Sequence, residues 1–275
     1  MDNMRHIAAR TSGNRHGPIT RVMSPGDLGE MVKPFVFLDY IDVAAGAGPN
    51  FGFHPHSGIA TLTFPLTFDM QHETSAGQID VVQRGGIEWV VTGGEIWHRA
   101  KPVNGKSMQG FQTWFALPET HENAQPSAKF IQPSEVPRVG PVTVLLGTYG
   151  DAISFIDAPF DVNYFWIQLK SGESFEYLPP AHHQVAWAFA QSGALKVSRE
   201  TLVREMAVFE ETEGALRFDA DGDTSFLLGT AAKRLAPLVL GPYSVHTSPS
   251  ALTAGINRIN ELGVALRNAD RSAMA

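Results

Sequence analysis

From residue 59 to residue 117 the chain is a succession of short hydrophobic segments broken by turn residues, which is the pattern of β-strands. Residues 59–64 alternate with a period of two, Thr61 and Thr63 sharing one face. A turn at 74–77 precedes a strand at 78–82, Gly85-Gly86 leads into 87–91, and Gly93-Gly94 leads into 96–99. The segment 110–117 (GFQTWFAL) is rich in aromatic and β-favouring residues and stops at Pro118. Between Pro118 and Pro141 five prolines and several polar residues interrupt the pattern, which predicts a linker region. Strand signals then resume at 142–148, 164–169, 184–189, 195–198, 207–210, 216–219 and 226–229. Two such runs predict an all-β chain of two barrel-like halves, the first over residues 1–125 and the second over 126–245.

The hydrophobic period changes near the C-terminus. Ser248 offers a capping hydroxyl and Pro249 a residue suited to a first helical turn. Leu252, Ile256, Ile259, Leu262 and Leu266 then recur at helical spacing, which predicts one amphipathic helix to about Asn268 within a closing segment 246–275.

Composition adjusts this picture in three places. The 26 glycines and 18 prolines among 275 residues suit many short strands joined by tight turns. A formal net charge of −7 argues against direct binding to a nucleic-acid backbone, though a protein partner remains compatible with it. The chain has no cysteine, so a disulfide framework, a thiolate metal site and a cysteine nucleophile are all excluded. No stretch reaches the length of a membrane span or a signal-peptide core, and the expectation is a cytoplasmic protein without membrane contact.

The chemical feature that stands out is His54-Pro55-His56. Histidines two apart on an extended segment point to one face, and Pro55 favours that geometry by fixing its own φ and biasing His54 away from helix. His98 ends the strand predicted at 96–99, and the return of a barrel strand could bring it beside the pair. Three neutral imidazoles can hold Zn, Fe, Ni or Cu with positions left for water or substrate. A chain with ten histidines also contains chance pairs, however, and on spacing alone surface or internally satisfied rings are the favoured reading.

The neighbourhood of these histidines resembles the pirin family of two-cupin proteins. The matching pieces are PFVFLDYID (34–42), FGFHPHSGIATLTF (51–64), IEWVVTGGEIWHRA (87–100), GFQTWFALP (110–118) and GPYSVHTSPSAL (241–252), in family order and spacing. The resemblance implies a double cupin, that is two antiparallel β-barrel or jelly-roll domains, with a single divalent metal in the N-terminal half. It implies His54, His56 and His98 as ligands and iron as the usual ion, with Zn, Ni, Mn, Co or Cu as alternatives. It also implies a second half without metal.

The sequence departs from the family at two points. Pirins place a ligating glutamate two residues after the last histidine, where this chain has Ala100, and their PGD turn here reads Arg84-Gly85-Gly86. A methyl group cannot coordinate. Three histidines with solvent is the favoured expectation. The other outcomes are a carboxylate from Glu95, Glu73 or Glu88 swinging in, or an empty or weakly filled site. Glu95 is the residue we single out as a substitute catalytic base.

Other motifs read as structure. His72-Glu73 suits a turn better than a ligand pair, and His182-His183 would face opposite ways on a strand. Asp219-Ala220-Asp221-Gly222-Asp223 lacks the glutamate of a calcium loop and predicts a hairpin turn. Gly46-Ala47-Gly48 lacks the context of a dinucleotide loop. Trp89, Trp97, Trp114, Phe51 and Phe53 surround the histidines in sequence, mostly as core, with one or two available to line an aromatic-ligand pocket. For function the resemblance implies either a quercetin 2,3-dioxygenase-like enzyme acting on a small aromatic, flavonol-like substrate, or a non-catalytic metal- or redox-responsive regulatory protein that binds a protein partner.

Overall fold

A computed structural model describes residues 4–44, 51–75, 77–104 and 107–273; the Gly46-Ala47-Gly48 triplet lies outside them. Among the described residues the strands form three larger antiparallel sheets, of seven, four and nine strands. The seven- and four-stranded sheets face one another and make the first half. The nine-stranded sheet makes the second half. The architecture is the expected double cupin with a C-terminal helix.

Alternation along the seven-stranded sheet explains why it can serve two neighbours. On Ile59–Pro65 the side chains of Ala60, Leu62 and Phe64 join a large apolar cluster, and on Ile87–Val91 those of Ile87 and Trp89 do the same. Tyr40 of Phe35–Val43 and Phe111 and Phe115 of Met108–Ala116 belong to this cluster too. So do Tyr164, Trp166, Trp187 and Phe189 from the nine-stranded sheet, so the two halves share one aromatic core. Polar groups cross the same boundary in pairs: the hydroxyls of Thr113 and Tyr164 lie 2.8 Å apart, and the Gln191 amide donates to the Tyr40 hydroxyl at 2.8 Å. The opposite face of the seven-stranded sheet carries Thr63, Glu88 and Gln112, which line the interior of the first half. A sheet apolar on one face and polar on the other is what a barrel needs if its interior holds a site.

Both chain ends cross between the halves. Strand Ile7–Thr11 pairs with Met206–Phe209 in the nine-stranded sheet. The C-terminal segment returns to the first half: Val245 N–H donates to Ser57 O at 3.3 Å, and the indole N–H of Trp97 donates to Ile259 O at 3.0 Å on helix Pro249–Ala273. Ser248 caps that helix as expected, its hydroxyl accepting from Ala251 N–H at 3.2 Å. No helix among the described residues is long and apolar enough to cross a membrane.

Three local expectations need correction. The stretch 118–141 contains the strand Ser127–Ile131, which pairs with Ile87–Val91; its half-exposed SAKFI pattern carries no clear alternation. The aspartate-rich segment is no hairpin turn but part of the single strand Leu216–Ala231. Gly222, at φ 81°, lets a bulge form there, while Asp219, Asp221 and Asp223 pair with Arg217, Lys196 and Lys170. His182 and His183 precede the strand Val185–Val197, and outside a strand both rings reach one carboxylate, Asp161, at 2.6 and 2.9 Å.

Candidate metal centre

His54 and His56 lie on strand Phe51–His56, whose antiparallel neighbour is Ile96–Asn104. In that register His98 stands directly opposite His54 and Ile96 opposite His56. Residues facing one another across antiparallel strands share a face, so the pairing itself puts the third imidazole beside the first two. Ring centroids are 4.9 Å apart for His54 and His56, 4.5 Å for His54 and His98, and 5.1 Å for His56 and His98. One ring nitrogen from each histidine lies within 4.8 Å of the other two.

Hydrogen bonds orient these rings. Nδ1 of His54 lies 2.8 Å from Gly52 O, and Nδ1 of His56 lies 3.0 Å from Tyr243 O, so each Nδ1 must carry the proton and donate it. Nδ1 of His98 lies 2.8 Å from Nε2 of His72. Nε2 of His56 and of His98 are buried with no hydrogen-bond partner. An unpartnered buried nitrogen is costly unless something else meets it. Neutral imidazoles with Nδ1 held and Nε2 free are the form in which histidine binds a divalent ion, and the donor set of three nitrogens fits Fe, Ni, Co, Cu or Zn.

Burial keeps the His56 and His98 rings neutral. His56 is pushed down to about 3 by burial and by the neighbouring His54, against the upward pull of the Tyr243 carbonyl. His98 is also held well below the ordinary value by burial and by the surrounding histidines.

Two spaces meet at this cluster. An inner cavity with about 40 Å³ of solvent-sized space, roughly room for an ion and one or two waters, is lined by His54, His98, Ala100, Thr63, Glu88 and Gln112. Ala100 thus faces the cavity, as its i+2 position requires. An open cleft of about 710 Å³ lies on the other side, lined by His54, His56, Gln112, Trp114, Phe37 and Phe53 among others. Trp114 stacks on Phe37 with centroids 4.1 Å apart and 13° between planes, and its buried indole N–H has no acceptor. Trp89 belongs to the shared core, and Trp97 is tied to the C-terminal helix.

The remaining acidic candidates separate clearly. Glu95 immediately precedes the strand Ile96–Asn104 and belongs to none of the histidine-containing clusters among the described residues. Glu73 is bound by Arg99 at 2.6 Å. Glu88 is 1% exposed and lines the inner cavity, with one carboxylate oxygen accepting from the Thr63 hydroxyl. Its other oxygen lies 3.2 Å from Nε2 of His72 without hydrogen-bond geometry and has no donor. His72 is fully buried on strand Asp69–Thr74, not in a turn. The inward set Met70, His72 and Thr74 was available as a period-two pattern, and would have placed His72 in the barrel.

A second histidine constellation proves structural. Nε2 of His246 lies 3.0 Å from the Ser57 hydroxyl, and Nδ1 lies 3.4 Å from Glu122, an order of groups seen in hydrolytic triads. All three residues are buried, however, and Ser57 donates to Ser244 at 2.9 Å. A methyl group at Gly255 would sit 2.6 Å from the Ser57 oxygen, so the helix backbone seals the hydroxyl from any substrate. The cluster fastens the C-terminal segment to the first half.

The neutral buried rings carry a pH dependence. An unfolded histidine titrates at 6.5 while folded His56 titrates at about 3, so the unfolded chain takes up the proton first as pH falls. This contribution to stability is complete above the unfolded value and declines below it by about 1.4 kcal/mol per pH unit. Between about pH 8 and about pH 5 the metal-free protein is expected to lose about 2 kcal/mol through His56 alone. Urea midpoints measured with a chelator present will show this; a midpoint constant over that interval contradicts a buried neutral ring.

Comparison with known proteins gives a consistent result. The Pirin family profile matches residues 18–115. A Pseudomonas aeruginosa protein provisionally named a quercetin 2,3-dioxygenase is 31% identical over 262 residues, covering 88% of this chain and 89% of the relative. A pirin-like protein of Caulobacter vibrioides is 28% identical over 248 residues, covering 86% and 89%. Among solved structures, quercetin 2,3-dioxygenase from Acinetobacter baumannii superposes with a TM-score of 0.87 at 21% identity, over 94% of this chain and 97% of that one. The bacterial pirin YhhW from Escherichia coli, in complex with nickel(II), superposes with a TM-score of 0.66 at 18% identity, over 84% and 98%. At these identities the structural likeness is one of fold.

Proposed function

Because the chain belongs to the pirin family, we propose that it holds one divalent metal ion through His54, His56 and His98 and acts as a quercetin 2,3-dioxygenase-like oxygenase on a small aromatic enol of the flavonol class. The observation that carries this reading is the pair of buried, unpartnered Nε2 atoms on His56 and His98 beside His54, at the junction of cavity and cleft. Iron is the ion the family leads us to propose first, and the nickel complex of YhhW makes nickel the next to try.

A bound divalent ion would supply a Lewis acid for the substrate's enol oxygen. The chain supplies the rest. The cleft of about 710 Å³ is of the size that takes a small organic ligand. Its wall includes the Trp114–Phe37 stack, an aromatic surface suited to a planar ring. Gln112 lines both spaces, so its amide stands where cleft and cavity meet.

Ala100 favours a second reading, a metal-responsive binding protein without turnover, because holding an ion needs no proton acceptor while removing the flavonol proton does. One experiment separates them. Protein loaded with Fe, Ni, Mn, Co or Cu is expected to consume flavonol absorbance faster than the free-metal blank, and His54→Ala to abolish the difference. Ala100→Glu, which restores an acid at the cavity wall, is expected to raise the rate, general-base assistance being worth about 10²–10⁴-fold. Stoichiometric metal with no rate above the blank rejects the oxygenase reading and leaves the regulatory one.

A further inference from the structure

The cavity behind the histidines contains an acid that three rings alone do not account for. Glu88 projects from Ile87–Val91, and its neighbours Ile87 and Trp89 point into the shared core, so the carboxylate is forced to the barrel interior by strand alternation. It is 1% exposed and faces the same cavity as His54, His98 and Ala100. Thr63 donates to one oxygen, while the other is buried and without a donor. Among the described residues no Lys or Arg pairs with it, and a basic group within reach is His72, at 3.2 Å. An acid this deeply enclosed is expensive to keep unless it balances a positive charge.

Resting on the metal reading above, we infer that Glu88, linked to His98 by His72, is the carboxylate of this centre: it supplies from behind the ligands the negative charge that Ala100 cannot supply among them. The linkage follows from the ring geometry. For His98 to offer Nε2, its proton must sit on Nδ1, from which it is donated to Nε2 of His72 at 2.8 Å. The Glu88 oxygen 3.2 Å from that accepting nitrogen favours positive charge building there. His98 Nδ1–H is thereby polarised, and electron density is returned to Nε2, the atom that meets the ion. Carboxylates that support a ligating imidazole in this indirect way raise its basicity and fix its orientation. Glu88 and His72 are positioning residues in this arrangement and touch no substrate.

The same cavity explains why the charge can be supplied at a distance. With residue 100 reduced to a methyl group, the space beside His98 is left to solvent, and the enclosed carboxylate acts across a medium that screens it less than bulk water does. An ion with three neutral ligands then has one compensating negative charge nearby, as a centre with three histidines and one glutamate has.

The test is metal affinity, measured by chelator competition with Ni²⁺ and separately with Co²⁺, on wild type, Glu88→Gln, Ala100→Glu, the double variant and His54→Ala. Glu88→Gln keeps the volume and the acceptor for Thr63, and is expected to weaken binding about 10- to 100-fold. Adding Ala100→Glu to Glu88→Gln is expected to recover most of that loss, which a merely structural defect would not allow. Cobalt-loaded Glu88→Gln should keep the visible absorption bands of the wild type, since the three ring nitrogens remain the ligands; altered bands overturn the placement of Glu88 behind them. Wild-type affinity in Glu88→Gln, with binding lost in His54→Ala, overturns this inference and leaves the metal reading standing. Equal binding by wild type and His54→Ala overturns both.

Discussion

Tag-free His98→Ala protein is expected to emerge from purification without its ion, with affinity reduced by more than about 100-fold. That bound follows because changing a residue behind a ligand already costs about 10- to 100-fold, and His98 is proposed as a ligand itself. The substitution removes one of three converging nitrogens from the strand that faces His54. It also leaves Nε2 of His72 without its 2.8 Å partner in a fully buried position. An orphaned buried polar atom costs about 1–3 kcal/mol, so the metal-free variant should be less stable than metal-free wild type by that amount at neutral pH. Elemental analysis and urea denaturation in the presence of a chelator measure the two effects separately. Near-stoichiometric metal in His98→Ala would mean that the ion sits elsewhere.

A larger loss of stability is expected at a residue far from any ion. Trp187 is fully buried and meets Phe35 edge-on at 5.2 Å and Tyr164 at 5.7 Å, one ring from each half. Gly229 has no side chain to offer there, because a Cβ would lie 2.5 Å from the indole. Trp187→Ala empties the centre of the shared core and should cost about 3–5 kcal/mol. The two sheets bury their apolar faces against each other, so the loss should appear in both halves at once. Circular dichroism and hydrogen exchange of amides in Ile59–Pro65 and Val185–Val197 are expected to report one common, shifted transition. A cost below about 1 kcal/mol, or two separate transitions, would show that the halves are stabilised independently.

Much of this arrangement is readable from the chain. The His54-Pro55-His56 spacing and the strand ending at His98 foreshadow a cluster that antiparallel register then brings together. The C-terminal helix declares itself through Ser248, Pro249 and its apolar repeat, although it runs on to Ala273. What escaped the reading was set by tertiary partners. Glu88 is named by the sequence only as one of three acids near the histidines, and His72 only as part of a turn, because nothing local shows that both side chains turn into the barrel interior. Glu95 is near His98 in sequence, yet it precedes the strand Ile96–Asn104 and joins none of the histidine clusters among the described residues. Gly222 resembled a turn because a bulge and a turn ask for the same backbone freedom. The pairing of Ile7–Thr11 with a strand two hundred positions away leaves no local trace at all.

The crossing of both chain ends bears on how the protein is made. A ribosome releases the first half before the second, and domains commonly fold in that order. Here the strand Ile7–Thr11 has to wait for Met206–Phe209 to be synthesised, and the carbonyl that orients His56 belongs to Tyr243, 187 positions downstream. The histidine cluster is therefore finished only after Tyr243 has been synthesised, and a nascent chain stalled before it would lack the carbonyl that orients His56.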